Sequence, residues 1–231
     1  MVLARPARPV AVVTGVSSGI GEAVARRLLD EGWAVTGISR RRPALEHADL
    51  AWVQADLLDP GAVDALAGDL PDPTAVVHAA GTLLSAPLGA LEPDALATMW
   101  RLHVDAPSRL VDALAGRLAD GGRIVLVGSR TSVGVAGKSQ YAATKAAQEA
   151  LSRSWAIELA SRRITVNVVA PGPTRTAMLD DPARAATPPQ LPRLGRFAEP
   201  AEVAGLVAFL LGLDGRSITG QRLVVCGGAS L

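Results

Sequence analysis

Seven short apolar, β-branched runs recur along the chain, at residues 10–14, 34–39, 50–54, 75–78, 123–128, 165–170 and 221–225. Between them lie stretches with helical periodicity at about 19–31, 60–70, 93–118, 139–161 and 200–211. Such alternation leaves few solutions. Parallel strands need a crossover connection and a helix supplies it, so the pattern predicts an α/β fold: a doubly wound, seven-stranded parallel sheet with helices on both faces. Ligands of such sheets bind beyond the carboxyl ends of the strands, in the turns that follow the apolar runs.

The chain has 231 residues, the size of one large α/β domain, and residues 1–231 are read as a single unit. Two connections stand out. Residues 40–49 are too few, and contain Pro43, so no full crossover helix is expected there. Residues 174–199 are rich in Pro, Gly, Ala and Arg with weak periodicity and are read as a substrate lid over the strand ends. A net charge of +1 suggests no nucleic-acid partner, and a single cysteine, Cys226, suits a reducing, cytoplasmic setting. The first 15 residues run straight into an apolar strand without a separate hydrophobic leader core, and no apolar run approaches about 20 residues. Neither a signal peptide nor a membrane span is expected.

The turn Thr14-Gly15-Val16-Ser17-Ser18-Gly19-Ile20-Gly21 joins the first strand to the first helix. Its glycines permit a tight turn and close approach to a pyrophosphate, which free N–H groups and the positive helix end then stabilise. With strand and helix both in place, it fits the fingerprint of dinucleotide-binding Rossmann sheets. After the second strand stands Ser39-Arg40-Arg41-Arg42. A carboxylate at this point would favour the free ribose of NAD(H); arginines match a 2′-phosphate, so NADP(H) is the expected cofactor and NAD(H) the less favoured one. Asp49 comes too late to be the missing acid.

Tyr141-Ala-Ala-Thr-Lys145 places a phenol and an ammonium on one helical face. Lowering a phenol's pKa from about 10 to neutrality takes about 4 kcal/mol, which one cation about 4 Å away at an effective dielectric near 20 supplies. The same spacing also occurs in ordinary surface pairs, so the pair alone does not decide.

Taken with Gly128-Ser129, Asn167-Val-Val-Ala-Pro171-Gly172 and the closing Ile218-Thr219-Gly220-Gln221…Gly227-Gly228, these motifs give a chain that resembles the short-chain dehydrogenase/reductase family over nearly its whole length. The resemblance implies that Ser129 hydrogen-bonds the substrate oxygen, with Ser132 as the rival because this interval is one residue shorter than in many relatives. It implies that Tyr141 exchanges the proton and that Lys145 lowers the phenol's pKa and holds the nicotinamide ribose. Cofactor positions carried over are Gly15, Ser17, Gly19, Ile20 and Gly21 for phosphate, Asp56 for adenine, Ala80 and Gly81 after the fourth strand, and Pro171, Gly172, Thr174 and Thr176 near the carboxamide. Ser39, Arg40 and Arg41 join them at the ribose phosphate. Two departures stand out: His78-Ala-Ala-Gly81 where relatives often have Asn-Asn-Ala-Gly, and His103 where they carry an asparagine that holds a relay water. His78 is expected to satisfy strand-end backbone; His103 either replaces the relay or makes it pH-sensitive.

The expected activity is hydride transfer between NADP(H) and a small carbonyl or secondary alcohol, without a metal. A catalytically idle NADP(H)-binding module is the alternative, and a lyase or isomerase on the same scaffold a third. Leu83, Leu84, Arg130, Val133, Met178, Leu179 and Phe197 are candidate substrate contacts, with Arg130 the one cation among them. Relatives suggest a homodimer or homotetramer packed through residues 93–118 and 139–161, with Trp100 and Trp155 as possible anchors.

Overall fold

The computed structural model describes residues 8–180 and 187–231. The first seven residues, read above for a leader, and residues 181–186 of the 174–199 segment lie outside the described residues. Strands β1 (Val10–Thr14), β2 (Ala34–Ser39), β3 (Leu50–Gln54), β4 (Ala75–His78), β5 (Arg123–Val127), β6 (Thr165–Pro171) and β7 (Arg222–Val225) form one sheet in the order β3-β2-β1-β4-β5-β6-β7. Every neighbouring pair is parallel. The strand order reverses between β1 and β4, and this switch point opens a crevice at their carboxyl ends.

Helices α1 (Gly19–Asp30), α2 (Pro60–Asp69), α3 (Pro93–Trp100), α4 (Ala106–Ala115), α5 (Ser139–Glu158) and α6 (Pro200–Leu211) cover the two faces. Side chains alternate across each strand, so Ala11 and Val13 join one core layer with α1 and α6, while Val12 joins the other with α2, α4 and α5. As expected, no helix lies between β2 and β3. Gly21 shows why the turn after β1 needs its last glycine: a Cβ there would sit 2.3 Å from the Gly15 carbonyl oxygen, so the glycine serves helix–strand packing as well as any ligand.

The continuous helix expected over 93–118 is broken. Residues Arg101–Asp105 form a π turn between α3 and α4, with the Ala106 N–H donating to Arg101 O. Pro107 explains part of this. It has no N–H, so the carbonyls of Leu102 and His103, which would receive it in the π and α registers, need other donors. His78 Nε2 donates to Leu102 O at 3.0 Å, and Gln148 Nε2 to His103 O at 2.8 Å. A π turn is a costly irregularity, and here buried side chains from β4 and α5 satisfy it.

Candidate active site

Two adjoining clefts, of about 430 and about 410 Å³, occupy the switch-point crevice and share Ile20, Ala79, Gly81, Thr82, Thr176 and Met178 as common walls. The first is lined by Gly15, Ser17, Gly19, Ile20 and Gly21 from the turn after β1, by Ser39, Arg40 and Arg41 after β2, by Asp56 after β3, and by Ala80 and Gly81 after β4. The second is lined by Ser129 and Arg130 after β5, Tyr141 and Lys145 on α5, His103 in the π turn, and Pro171, Gly172, Thr174 and Met178 after β6. Apart from the rival Ser132, every residue expected at a cofactor or catalytic position thus lines one cleft or the other, as do Arg130 and Met178.

The arginine turn is held from within. Ser39 Oγ donates to Arg41 O at 2.7 Å and accepts the Trp52 indole N–H at 3.0 Å, so its hydroxyl shapes the turn. Arg42 lies over the Trp52 ring, 5.7 Å from its centroid, and does not line the cleft. That leaves Arg40 and Arg41 facing the crevice, with no ion pair from either to a described carboxylate.

At the floor of the second cleft lies a polar network. His78 Nε2 must carry the hydrogen, because Leu102 O can only accept; His78 Nδ1 then accepts from Thr14 Oγ1 at 3.1 Å. That hydroxyl in turn accepts the Ala79 and Ala80 N–H groups, fixing the chain after β4. His103 has the opposite tautomer. Its Nε2 accepts the Thr82 N–H at 3.1 Å, so Nδ1 donates to Thr144 Oγ1 at 2.9 Å, and Thr144 donates to Tyr141 O. The imidazole stands edge-on to the Tyr141 ring, with centroids 5.6 Å apart.

Lys145 Nζ donates to Val127 O at 2.9 Å and to Gln148 Oε1 at 3.1 Å, and lies 5.8 Å from the Tyr141 ring centroid. Burial pushes its pKa down to about 7. Burial, and then the Lys145 charge, lower His78 to about 3, and the same two causes hold His103 well below its usual value. Both histidines are therefore neutral. Gln148, fully buried, links the ammonium to the His103 carbonyl; sequence reading missed it, although it is one turn beyond Lys145 on the face that Tyr141 begins.

A pH dependence of stability follows. The unfolded histidines, with pKa near 6.5, bind protons that the folded ones refuse, so stability is expected to fall as pH drops from about 6.5 towards about 3. The slope is up to about 1.4 kcal/mol per pH unit for each histidine. For Lys145 the unfolded chain binds the extra proton between about 7 and 10.5, so that contribution rises with pH across this interval. Urea unfolding across a pH series measures both limbs, and His78→Gln should flatten the acid limb.

Ser129 Oγ accepts the Thr131 N–H and shares a hydrogen bond of 2.9 Å with Thr131 Oγ1. Ser132 does not line the cleft, and its hydroxyl is buried without a partner among the described residues. The substrate side needs correction. Leu83, Arg130 and Met178 line the second cleft and Leu84 the first, but Val133 is 76% exposed, while Leu179 and Phe197 line neither cleft. Tyr141 packs with Leu83 and Met99 in a small apolar cluster that Met178 flanks.

Among the described residues no group of three or more His, Cys, Asp or Glu side chains is placed to hold a metal ion, and no helix is long and apolar enough to cross a membrane.

Known proteins resemble this chain in both sequence and fold. Residues 15–230 match the family described as enoyl-(acyl carrier protein) reductase. The chain is 34% identical to the 3-oxoacyl-(acyl-carrier-protein) reductase FabG of Vibrio cholerae, over 95% of this chain and 96% of that protein. It is 36% identical to carbonyl reductase family member 4 of Danio rerio, over 96% and 98% of the two chains. The crystal structure of a short-chain dehydrogenase from Burkholderia cenocepacia in complex with NADP superposes with a TM-score of 0.83 at 34% identity, covering 96% of this chain and 97% of the other. With its seven-stranded parallel sheet and its glycine turn at the switch point, the chain belongs to the short-chain dehydrogenase/reductase family of oxidoreductases.

Proposed function

We propose that the protein is an NADP(H)-dependent ketone reductase and alcohol dehydrogenase in which Tyr141 is the general acid and base. The observation that carries this reading is the convergence of Tyr141, Lys145 and Ser129 on a single cleft that opens directly into the glycine-turn cleft with Arg40 and Arg41. The donor set fits the cofactor. Arginines unpaired with any described carboxylate suit a 2′-phosphate, the turn into α1 suits a pyrophosphate, and the hydroxyls of Thr174 and Thr176 on the cleft wall suit a carboxamide.

When bound, NADP(H) supplies or accepts the hydride. Ser129 orients the substrate oxygen by a hydrogen bond, its own lone pair meanwhile occupied by the Thr131 N–H. Tyr141 gives its proton to that oxygen in reduction and takes it back in oxidation. Lys145 biases the phenol towards losing its proton, and two of its N–H groups are already held by Val127 O and Gln148 Oε1, leaving a third for a ribose hydroxyl. His103 is a positioning residue. Its neutral ring is fixed between Thr82 and Thr144, and its carbonyl anchors Gln148, so its effect on the proton runs through Lys145. The described parts of the segment, residues 174–180 and 187–199, contribute Thr174, Met178 and Pro188 to the cleft wall and close over substrate, and the half-exposed Trp100 anchors a two-fold assembly through α3, α4 and α5.

The test is turnover of aliphatic, cyclic and β-keto carbonyls with NADPH and with NADH, followed by absorbance of the reduced nicotinamide. NADPH is expected to win in kcat/KM by about 10–100-fold, the worth of one or two charge-assisted hydrogen bonds. Arg40→Ala with Arg41→Ala should erase most of that preference by weakening NADPH and sparing NADH. Equal use of both cofactors by the unmodified protein would remove the assignment of the arginines.

A further inference from the structure

Beside the reacting groups lies one buried side chain that is polar, uncharged and tied at both ends. Gln148 stands one turn beyond Lys145 on α5 and exposes no surface. Its Nε2 donates to His103 O at 2.8 Å, and its Oε1 accepts from Lys145 Nζ at 3.1 Å. The amide has one orientation only, because a carbonyl oxygen accepts and an ammonium donates.

A buried glutamine costs free energy unless both ends of its amide find partners. The backbone supplies the first. Pro107 has no N–H to give the His103 carbonyl, so that oxygen is open to Nε2 and draws it towards the π turn. The oxygen end is thereby turned onto Lys145, whose other acceptor is Val127 O at 2.9 Å. The titratable groups around this ammonium are His78 at the end of β4, His103 in the π turn and Tyr141 on its own helix, with Arg130 and Lys138 as further cations on the cleft wall. Both histidines are neutral. Glu149, the next residue along α5, pairs with Arg222 at 2.8 Å, so the ammonium is met by neutral oxygens and not by a described carboxylate.

Building on the reductase reading, we infer that Gln148 is a positioning residue of the reaction: its amide, anchored by the His103 carbonyl, keeps Lys145 protonated and fixes the ammonium beside Tyr141. A neutral acceptor serves here where other side chains would not. Glutamate would hold the proton on Lys145 more tightly, but its charge would offset the field that favours loss of the phenol proton. An apolar residue would remove a contact that favours the charged form, and burial already brings Lys145 down to about 7.

Lys138 and Lys145 are the only lysines of the chain, so NMR of carbon-13-labelled lysine reads the Lys145 proton without any substrate, and a Lys138→Arg spectrum assigns the two signals. Gln148→Met should lower the pH at which Lys145 titrates by about one to two units, as expected for the loss of one hydrogen bond to a charge. Gln148→Glu should raise it by about one unit or more. The descending limb of kcat/KM against pH should move with the signal in each variant. A side chain that merely fills space would leave the titration in place, whereas shifts of opposite sign identify the amide. If Gln148→Met does not fold, the direction of the shift in Gln148→Glu decides alone. A Lys145 titration unmoved by the substitutions overturns the role of Gln148 and leaves the reductase reading standing. Opposite shifts in a protein that turns over no carbonyl support the hold of the amide on Lys145 and sink the reductase reading instead.

Discussion

Tyr141→Phe is expected to lower kcat for carbonyl reduction by about 10²–10⁴-fold while NADPH still binds. The ring of Tyr141 packs with Leu83 and Met99 and stands edge-on to His103, and phenylalanine keeps all of that surface. What is removed is the proton. Without it, the oxygen that receives a hydride's electron pair must stay charged in a cleft lined by Leu83, Val127 and Met178, and that charge then rests on Ser129 and the nearby cations alone. The prediction is thus a loss in kcat with KM for NADPH little changed, read from steady-state kinetics and cofactor titration. A variant retaining most of its turnover would move the proton donor elsewhere.

Lys145→Met should cost about 100-fold. The ammonium stands 5.8 Å from the Tyr141 ring centroid, and a unit charge at about 6 Å with an effective dielectric near 20 is worth about 3 kcal/mol. Unlike the tyrosine variant, this one should also weaken NADPH, because the N–H left free by Val127 and Gln148 is lost. Lys145 releases its own proton near pH 7. With cofactor limiting, kcat/KM is therefore expected to decline as pH rises through that value, and Lys145→Met should lack this limb. A pH–rate profile of both proteins decides the matter; an identical limb in both would assign it to another group.

The sheet and both clefts could be read from the sequence because their signals are local. Apolar runs of four to six residues fix the strands, and Gly15, Gly19 and Gly21 mark the first crossover within eight positions. The π turn could not be read this way. Apolar spacing through 93–118 stays helical, and the carbonyls that Pro107 strands are satisfied by His78 and Gln148, tens of residues away in sequence. The two histidines were therefore visible as departures but not as a pair: His78 holds the turn, and His103 both belongs to it and anchors Lys145 through Gln148. Local signals also overstated the basic loop. Three arginines read alike in sequence, yet Trp52, on the neighbouring strand, draws Arg42 away from the crevice. Likewise Val133 looked like a pocket wall by its nearness to Ser129, but the short helical turn after β5 carries it out to solvent.

The central claim is that hydride passes directly between nicotinamide and a carbonyl carbon while Tyr141 handles the proton. It is tested most directly by reducing a turned-over ketone with NADPH deuterated at the transferring position of C4 and analysing the alcohol by mass spectrometry. The account predicts one deuterium on the carbinol carbon, a hydroxyl proton drawn from solvent, and no labelled product from Tyr141→Phe on the same timescale. Alcohol formed without deuterium at that carbon, or with equal yield from the variant, would contradict it.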